Sequence, residues 1–412
     1  MEINSKLQRY IAIFFEIVIY LPSYILWKTI KILPRNRNIW IFSSWFGQQY
    51  SDSASALYEY ATKINQKLKC VWLLKNKALI KELRSKGVKA FYSNSIMGAF
   101  FLLRAGNVIS ITGYEFPLIF INGTNLYEIY HGMPLKKILR DVDFTYMPET
   151  DKKLGRLGKL RDKLKFTGVS NNFLFYENIY TVTNSDFFIP YLKQAFGIEE
   201  QRILKTGLPR CDKMFMPKNE TLVEDIRKKY VGCKILLYMP THRTSSWTGN
   251  AFNPFINEYQ YDENHFLNIL AEKNIVFLYK PHFHDIHALG GKKFNERFYT
   301  ITNGDFNDIY DLIGQIDILM TDYSSIYFDY ISLRKNVILA PFDLEDYKKT
   351  LREHYFDYNE LDGVRAFNWK ELLNILKNNL YRPASEEAII KFAEYVSGDS
   401  CANLYESIIK NS

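Results

Sequence analysis

Residues 316–325 read Ile-Asp-Ile-Leu-Met-Thr-Asp-Tyr-Ser-Ser, and the next eight continue Ile-Tyr-Phe-Asp-Tyr-Ile-Ser-Leu. The run Ile316–Met320 is apolar apart from Asp317 and predicts a buried strand, while Ser325–Leu333 predicts the helix that follows it. A strand feeding directly into a helix is the repeating unit of a parallel sheet covered by helices. Ligands of such sheets collect beyond the carboxyl ends of the strands. Thr321, Asp322, Ser324 and Ser325 occupy that place, with Asp329 one turn further on. Backbone N–H groups at a helix start, flanked by serine hydroxyls, suit a phosphate. A serine N-cap without a ligand is the plainer alternative.

The same unit recurs on both sides. Lys234–Met239, Ile275–Tyr279, Phe298–Ile301 and Asn336–Ala340 read as further buried strands, with helices expected over Asn264–Glu272, Asp305–Ile313 and Trp369–Leu380. Upstream, strands are expected at Asn38–Ser43, Cys70–Leu74, Val108–Thr112, Leu118–Asn122, Leu126–Tyr130, Ile179–Thr183 and Ile203–Thr206, with helices at Ser53–Lys67 and Phe187–Phe196. The chain of 412 residues therefore divides into two doubly wound α/β halves. The expected limits are an apolar segment over 1–36, a first domain over 37–215, a second over 216–383, and C-terminal helices over 384–412 that return to the first domain. The polar, proline-containing stretch Met214–Thr221 is the expected linker.

Composition narrows the partners. The formal charge of +8 favours anionic ones, and neither an arginine-rich arm nor helix–turn–helix spacing points to nucleic acid. The four cysteines are widely spaced, which argues against a zinc site and a disulfide framework. Tyr10–Trp27 contains Glu16 as its only charge, but its 18 residues fall short of the roughly 20 needed to span a bilayer. Lys6 and Arg9 precede it, and Lys28, Lys31, Arg35 and Arg37 follow. Charge at both ends predicts a helix lying in the interface of an anionic membrane rather than crossing it. No small-residue cleavage site follows, so a signal peptide is not expected.

Four more loops follow predicted strands. In Tyr130-His131-Gly132-Met133-Pro134-Leu135-Lys136-Lys137, Gly132 and Pro134 shape a turn that presents His131, whose imidazole suits proton abstraction from a hydroxyl. Lys136 and its neighbour add positive charge. In Thr206-Gly207-Leu208-Pro209-Arg210-Cys211-Asp212, Arg210 is a candidate phosphate or carboxylate fork and Asp212 a helix cap, with Gly207 shaping the bend. An interdomain elbow is an equal reading there. Thr241 and Arg243, in Met239-Pro240-Thr241-His242-Arg243, suit a diphosphate. Lys280 and His282, in Lys280-Pro281-His282-Phe283-His284-Asp285, suit the charge developing on a leaving nucleotide. The His282-x-His284 spacing lacks the accompanying ligands of a metal site.

Taken together, HGMPLKK, TVTNS, TGLPRCD, MPTHR, KPH, TDYSSIYFDY and PFDLEDY, in this order from about Ile39 onward, resemble the CDP-glycerol:glycerophosphotransferase family of teichoic-acid primases and polymerases. The resemblance implies a GT-B-like α/β fold, two Rossmann-type domains facing a cleft, with the CDP-linked donor held mainly by the second. It implies a catalytic base at His131 and pyrophosphate contacts from Arg243, His282, Ser324 and Ser325. It also implies transfer of glycerol phosphate, ribitol phosphate or another polyol phosphate to a lipid-linked (undecaprenyl diphosphate) glycan at the cytoplasmic face of the membrane. This sequence departs from the pattern at His242, where an aromatic is common, at Phe283 in place of proline, and at Met133 in place of threonine. No cofactor is required by this reading, and magnesium is compatible with it. With no large additional N-terminal domain in the sequence, addition of one or a few units and compact polymerisation are both expected outcomes. The rival enzyme reading is a GT-B glycosyltransferase using a nucleotide sugar. A non-catalytic membrane scaffold is a third, disfavoured by the joint presence of His131, His282 and the serine pair.

Overall fold

The computed structural model describes residues 22, 25–142, 177–241, 253–281, 296–306, 308–350 and 353–411. Two sheets organise them. The first contains β1 (Asn36–Phe42), β2 (Lys69–Leu74), β3 (Ala90–Tyr92), β4 (Ala105–Ser110), β5 (Asn125–Glu128), β6 (Ile179–Val182) and β7 (Ile203–Leu204), in the order β3-β2-β1-β4-β5-β6-β7. The second contains β8 (Lys234–Met239), β9 (Ile275–Tyr279), β10 (Phe298–Thr300), β11 (Ile318–Thr321), β12 (Asn336–Leu339) and β13 (Val364–Arg365), in the order β10-β9-β8-β11-β12-β13. Every pairing along both paths is parallel. A short antiparallel strand, β14 (Arg382–Pro383), joins β12.

The strands are apolar because helices cover both faces: β4 and β9 are buried at every position. Trp40, Phe42 and Trp72 fill the core of the first sheet, with the Phe42 and Trp72 rings stacked at 6.0 Å. Trp369 packs among Phe266, Phe277 and Phe255 beneath the second. Aromatic contacts also bridge the two halves. Phe188 meets Phe328 edge-on at 5.0 Å, and Phe187 meets Phe356 at 4.9 Å.

One expectation is corrected. Leu118–Ile121 forms a 3-10 helix rather than a strand, because Pro117 caps it and Gly123 (φ 88°) turns the chain at once into β5. The strand Ala90–Tyr92 and the helices Lys77–Ser85 and Ile96–Arg104 went unanticipated. The C-terminal helices expected over 384–412 are Glu386–Ala393 and Ser400–Asn411, separated at Gly398 (φ 89°). The second of them packs on the helix Asp52–Ile64 of the first half, where Tyr60 and Tyr405 meet edge-on at 5.8 Å.

Most of the apolar N-terminal segment lies outside the described residues. Its last turn, residues 25–30, is helical and docks one face: Trp27 and Ile30 are buried, and Asn122 donates to the Trp27 carbonyl at 2.7 Å. Ile25 and Leu26 on the other face are exposed. Among the described residues, no helix is long and apolar enough to cross a membrane.

Candidate active site

The carboxyl ends of the two sheets meet at the turns after β5 and β11. Tyr130 holds a left-handed conformation (φ 63°), and Gly132 follows at φ 142°, so the chain leaves β5 through a sharp turn that presents His131. The imidazole sits 5.6 Å from the Trp45 ring and 4.0 Å from the Tyr130 ring, centroid to centroid. Trp45 belongs to the loop after β1, where Trp45 and Phe46 also have positive φ. Non-glycine residues in this region cost energy, and their gathering at one end of the first sheet marks a place where the fold over-determines the backbone.

Opposite this turn stand Ser324 and Ser325, both partly exposed at the start of the short helix Ile326–Tyr330. A Cβ added to Gly132 would lie 2.4 Å from Ser325 Oγ and 2.8 Å from Ser325 Cβ. The residue after His131 is thus in contact with Ser325. Gly132→Ala is expected to destabilise the fold by about 1–3 kcal/mol, since it combines overpacking with an unfavourable φ. Thermal unfolding would read the loss, and a variant as stable and active as the parent would contradict this geometry.

Asp322 is fully buried. Its Oδ1 accepts from the Thr241 N–H at 2.8 Å and the Tyr323 N–H at 2.6 Å, tying the loop after β8 to the turn after β11. Thr321 is buried as well and donates to the Met239 carbonyl at 2.7 Å. Both residues thus shape the turn between β11 and the helix that follows. Lys280, at the end of β9, lies 5.8 Å from the Phe306 ring centroid, and burial lowers its ammonium below its usual range. Arg243 and His282 lie outside the described residues.

Several expected contacts are redirected. Arg210 is not an open fork. Its guanidinium is buried between Asp329 (Nη2–Oδ2 2.8 Å) and Asp52 (Nη1–Oδ1 3.1 Å), and it lies 5.0 Å from the Tyr310 ring centroid. Burial alone would lower its pKa, but Asp329 and Asp52 hold it well above the ordinary value. Asp329, expected near the donor, is fully buried and also accepts from Asn184 Nδ2 and Tyr310 Oη, each at 3.2 Å. Asp212 caps a distant helix, accepting from the Ser400 and Cys401 N–H groups at 2.8 Å each. Gly207 (φ 70°) permits close approach of the Tyr395 carbonyl. Lys136 donates to Tyr347 Oη at 2.8 Å, and its backbone bridges to His354 in antiparallel fashion. The neighbouring Lys137 pairs with Glu353.

Sequence reasoning missed Trp45, Asp52 and Tyr310. Asp52, an acidic residue just beyond β1 at the head of a helix, is the one that left a signal. A groove of about 890 Å³ lined by Gln201, Lys205, Asn403 and Lys410 shares no residue with the site. Among the described residues, no group of three or more His, Cys, Asp or Glu side chains is placed to hold a metal.

An imidazole on one parallel α/β half against a hydroxyl pair on the other is the arrangement of a two-lobed transferase. Comparison with known proteins gives the class a family. Residues 25–410 match the model of the CDP-Glycerol:Poly(glycerophosphate) glycerophosphotransferase family, and the chain belongs to it. It is 27% identical to a teichoic acid glycerol-phosphate transferase of Staphylococcus aureus, over 93% of this chain and 97% of that protein. Identity to the ribitol-phosphate polymerase TarL of the same organism is 29%, over 58% of this chain and 42% of TarL. A structure of a variant of the wall teichoic acid polymerase TagF with CDPG superposes with a TM-score of 0.68, covering 97% of this chain and 98% of that one at 20% identity.

Proposed function

We propose that this protein transfers a polyol phosphate, glycerol phosphate or ribitol phosphate, from a CDP-linked donor to a hydroxyl of a lipid-linked glycan or a growing teichoic-acid or capsule chain, releasing CMP. One observation carries the reading: the turn bearing His131 touches Ser325, so a base from one sheet stands beside an anion-binding edge of the other. The family's description, the glycerol-phosphate relative and the CDPG-soaked TagF structure support the donor class.

In this reading the donor diphosphate lies at Ser324 and Ser325, with Arg243, His282 and Lys280 supplying positive charge. His131 takes the proton of the acceptor hydroxyl. The resulting oxygen attacks the polyol-linked β-phosphorus in line, the bond from that phosphorus to the oxygen bridging to CMP breaks, and CMP leaves with the electron pair. Such transfers depend on positioning and charge neutralisation, which these side chains supply without an obligatory metal ion. The apolar segment over Tyr10–Trp27 and its basic flanks hold the enzyme peripherally at the cytoplasmic face of the membrane, beside an undecaprenyl diphosphate-linked acceptor.

The test is CMP release from CDP-glycerol and CDP-ribitol with a lipid-linked acceptor analogue. Turnover of a UDP- or GDP-sugar in place of both would overturn the reading in favour of a glycosyltransferase. The double change Ser324→Ala and Ser325→Ala is expected to raise the donor KM about tenfold or more, the scale of one lost hydrogen bond to a charged group. An unchanged donor KM would remove the serines from the site.

A further inference from the structure

The proposed chemistry leaves unused a set of buried polar side chains at the end of β5, the strand that leads to His131. Ser110 ends β4, Glu128 ends β5 and Glu115 lies in the intervening turn; all three have no exposed surface. Ser110 Oγ lies 2.8 Å from Glu115 Oε2 and 2.5 Å from Glu128 Oε2, and accepts from the Gly113 N–H at 2.9 Å. A hydroxyl has one hydrogen and donates it to one carboxyl. The other contact is a hydrogen bond only if the second carboxyl brings a proton of its own.

Surroundings decide which carboxyl that is. Glu115 Oε1 accepts from the Ile111 N–H at 3.0 Å and the Thr112 N–H at 2.8 Å, the environment of an ionised carboxylate. The Tyr130 and Gly113 N–H groups face the Glu128 carboxyl, but neither reaches Glu128 Oε1 in good hydrogen-bond geometry, which a neutral acid tolerates better than a buried anion does. The proton belongs on Glu128, and Ser110 passes its own to Glu115.

The set acts on the backbone that carries His131. The Ile129 N–H donates to the Ser110 carbonyl at 2.9 Å, and Thr181 Oγ1 donates to the Glu128 carbonyl at 2.8 Å. Tyr130, in its left-handed conformation, comes next and then His131. We propose that Glu128 is a neutral carboxylic acid whose hydrogen bond to Ser110 locks the end of β5, making it a positioning residue for His131. This rests on His131 being the base.

The groups facing the Glu128 carboxyl are Ser110 on β4, Glu115, Tyr114 and the Gly113 N–H in the following turn, and the Tyr130 N–H on its own segment. Of these only Glu115 carries charge. Burial first, and then Glu115, push the Glu128 carboxyl well above the usual range. An unfolded glutamate titrates at about 4.3. Between that value and its raised folded one, the native state holds more protons than the unfolded state, so the stability is present in acid and falls as pH rises. Ionisation of Glu128 would set two anions against one hydroxyl and release the turn.

Three readouts test this on the full chain. Infrared spectroscopy at neutral pH should find a protonated-carboxyl stretch that disappears in Glu128→Gln. The same variant keeps an N–H donor toward Ser110 but cannot ionise, so its melting temperature should exceed the parent's by a margin that grows from acidic to alkaline pH. Glu128→Ala, which removes the bond, should lower kcat by at least about tenfold with donor KM unchanged, the scale of a small misplacement of a catalytic group. Glu128→Gln should restore most of that rate and abolish the alkaline decline of kcat. If Glu128→Ala does not fold, the infrared band and the pH–rate profile of Glu128→Gln carry the test. A band that survives in Glu128→Gln, or a glutamine variant as slow as the alanine one, overturns the proposal. Should His131 prove not to be the base, the infrared and melting results still decide the protonation of Glu128.

Discussion

Replacing His131 with alanine is expected to lower kcat for CMP release by about 10²–10⁴-fold, the usual contribution of a positioned general base. Donor KM should change little, because Ser324 and Ser325 stay in place on the other sheet. The melting temperature should change little as well. The imidazole's recorded ring contacts are with Trp45 and Tyr130, both near the rim of the first sheet, and the core of that sheet lies elsewhere. The discriminating result is the split between kcat and KM. A variant retaining more than a small fraction of turnover would remove His131 from the chemistry, and one that lost only donor affinity would reassign it to binding.

The largest stability effect is expected from Asp329→Ala. Asp329 accepts from Arg210 Nε and Nη2, Asn184 Nδ2 and Tyr310 Oη, so its removal strands several buried donors, each at a cost of about 1–3 kcal/mol. The Arg210 guanidinium, nearly without exposure, keeps its pairing with Asp52 but loses the acceptor of its Nε and Nη2 groups. Asn184 and Tyr310 lose an acceptor in the same step. Urea unfolding would measure the loss, and a change below about 1 kcal/mol would mean that the network is not formed in solution. Activity should fall too. Asp329 sits on the helix that begins beside Ser325, and Arg210 and Asn184 belong to the half that carries His131, so the pair holds the His131 turn and the serine pair in register. The added change Arg210→Met should lower stability further and leave the rate unrecovered, because it strands Asp52 as an unpaired buried carboxylate.

Much of this architecture was legible in local patterns. Continuous apolar runs such as Lys234–Met239 and Ile275–Tyr279 are strands buried on both faces, and they came out with the expected limits. The turns after β5 and β11 were marked by Gly132 and by the serine pair, whose chemistry depends on a few adjacent residues. Leu118–Ile121 shows where local reading fails. Its apolar run fits a strand or a tight helix equally, and the flanking Pro117 and Gly123 settle the matter through backbone geometry.

Charged residues behaved differently. Arg210, Asp212, Lys136 and Asp329 all occupy motif positions, and each is engaged by another part of the chain: Arg210 by residues 158 and 119 positions away, Asp212 by the start of the last helix, Lys136 by Tyr347. An ionised side chain leaving water takes whatever opposite charge or donor the fold brings near, and sequence spacing does not encode that encounter.

By itself, then, the sequence determined two parallel α/β halves and the two turns that carry His131 and the serine pair, because strand, helix and turn preferences are properties of neighbouring residues. Only the tertiary structure decided that those turns touch, that Arg210 and Asp329 bind the halves together instead of binding substrate, and that Glu128 must share its proton with Ser110. These are contacts between distant segments, and their energies come from burial and charge that exist only once the chain has closed on itself.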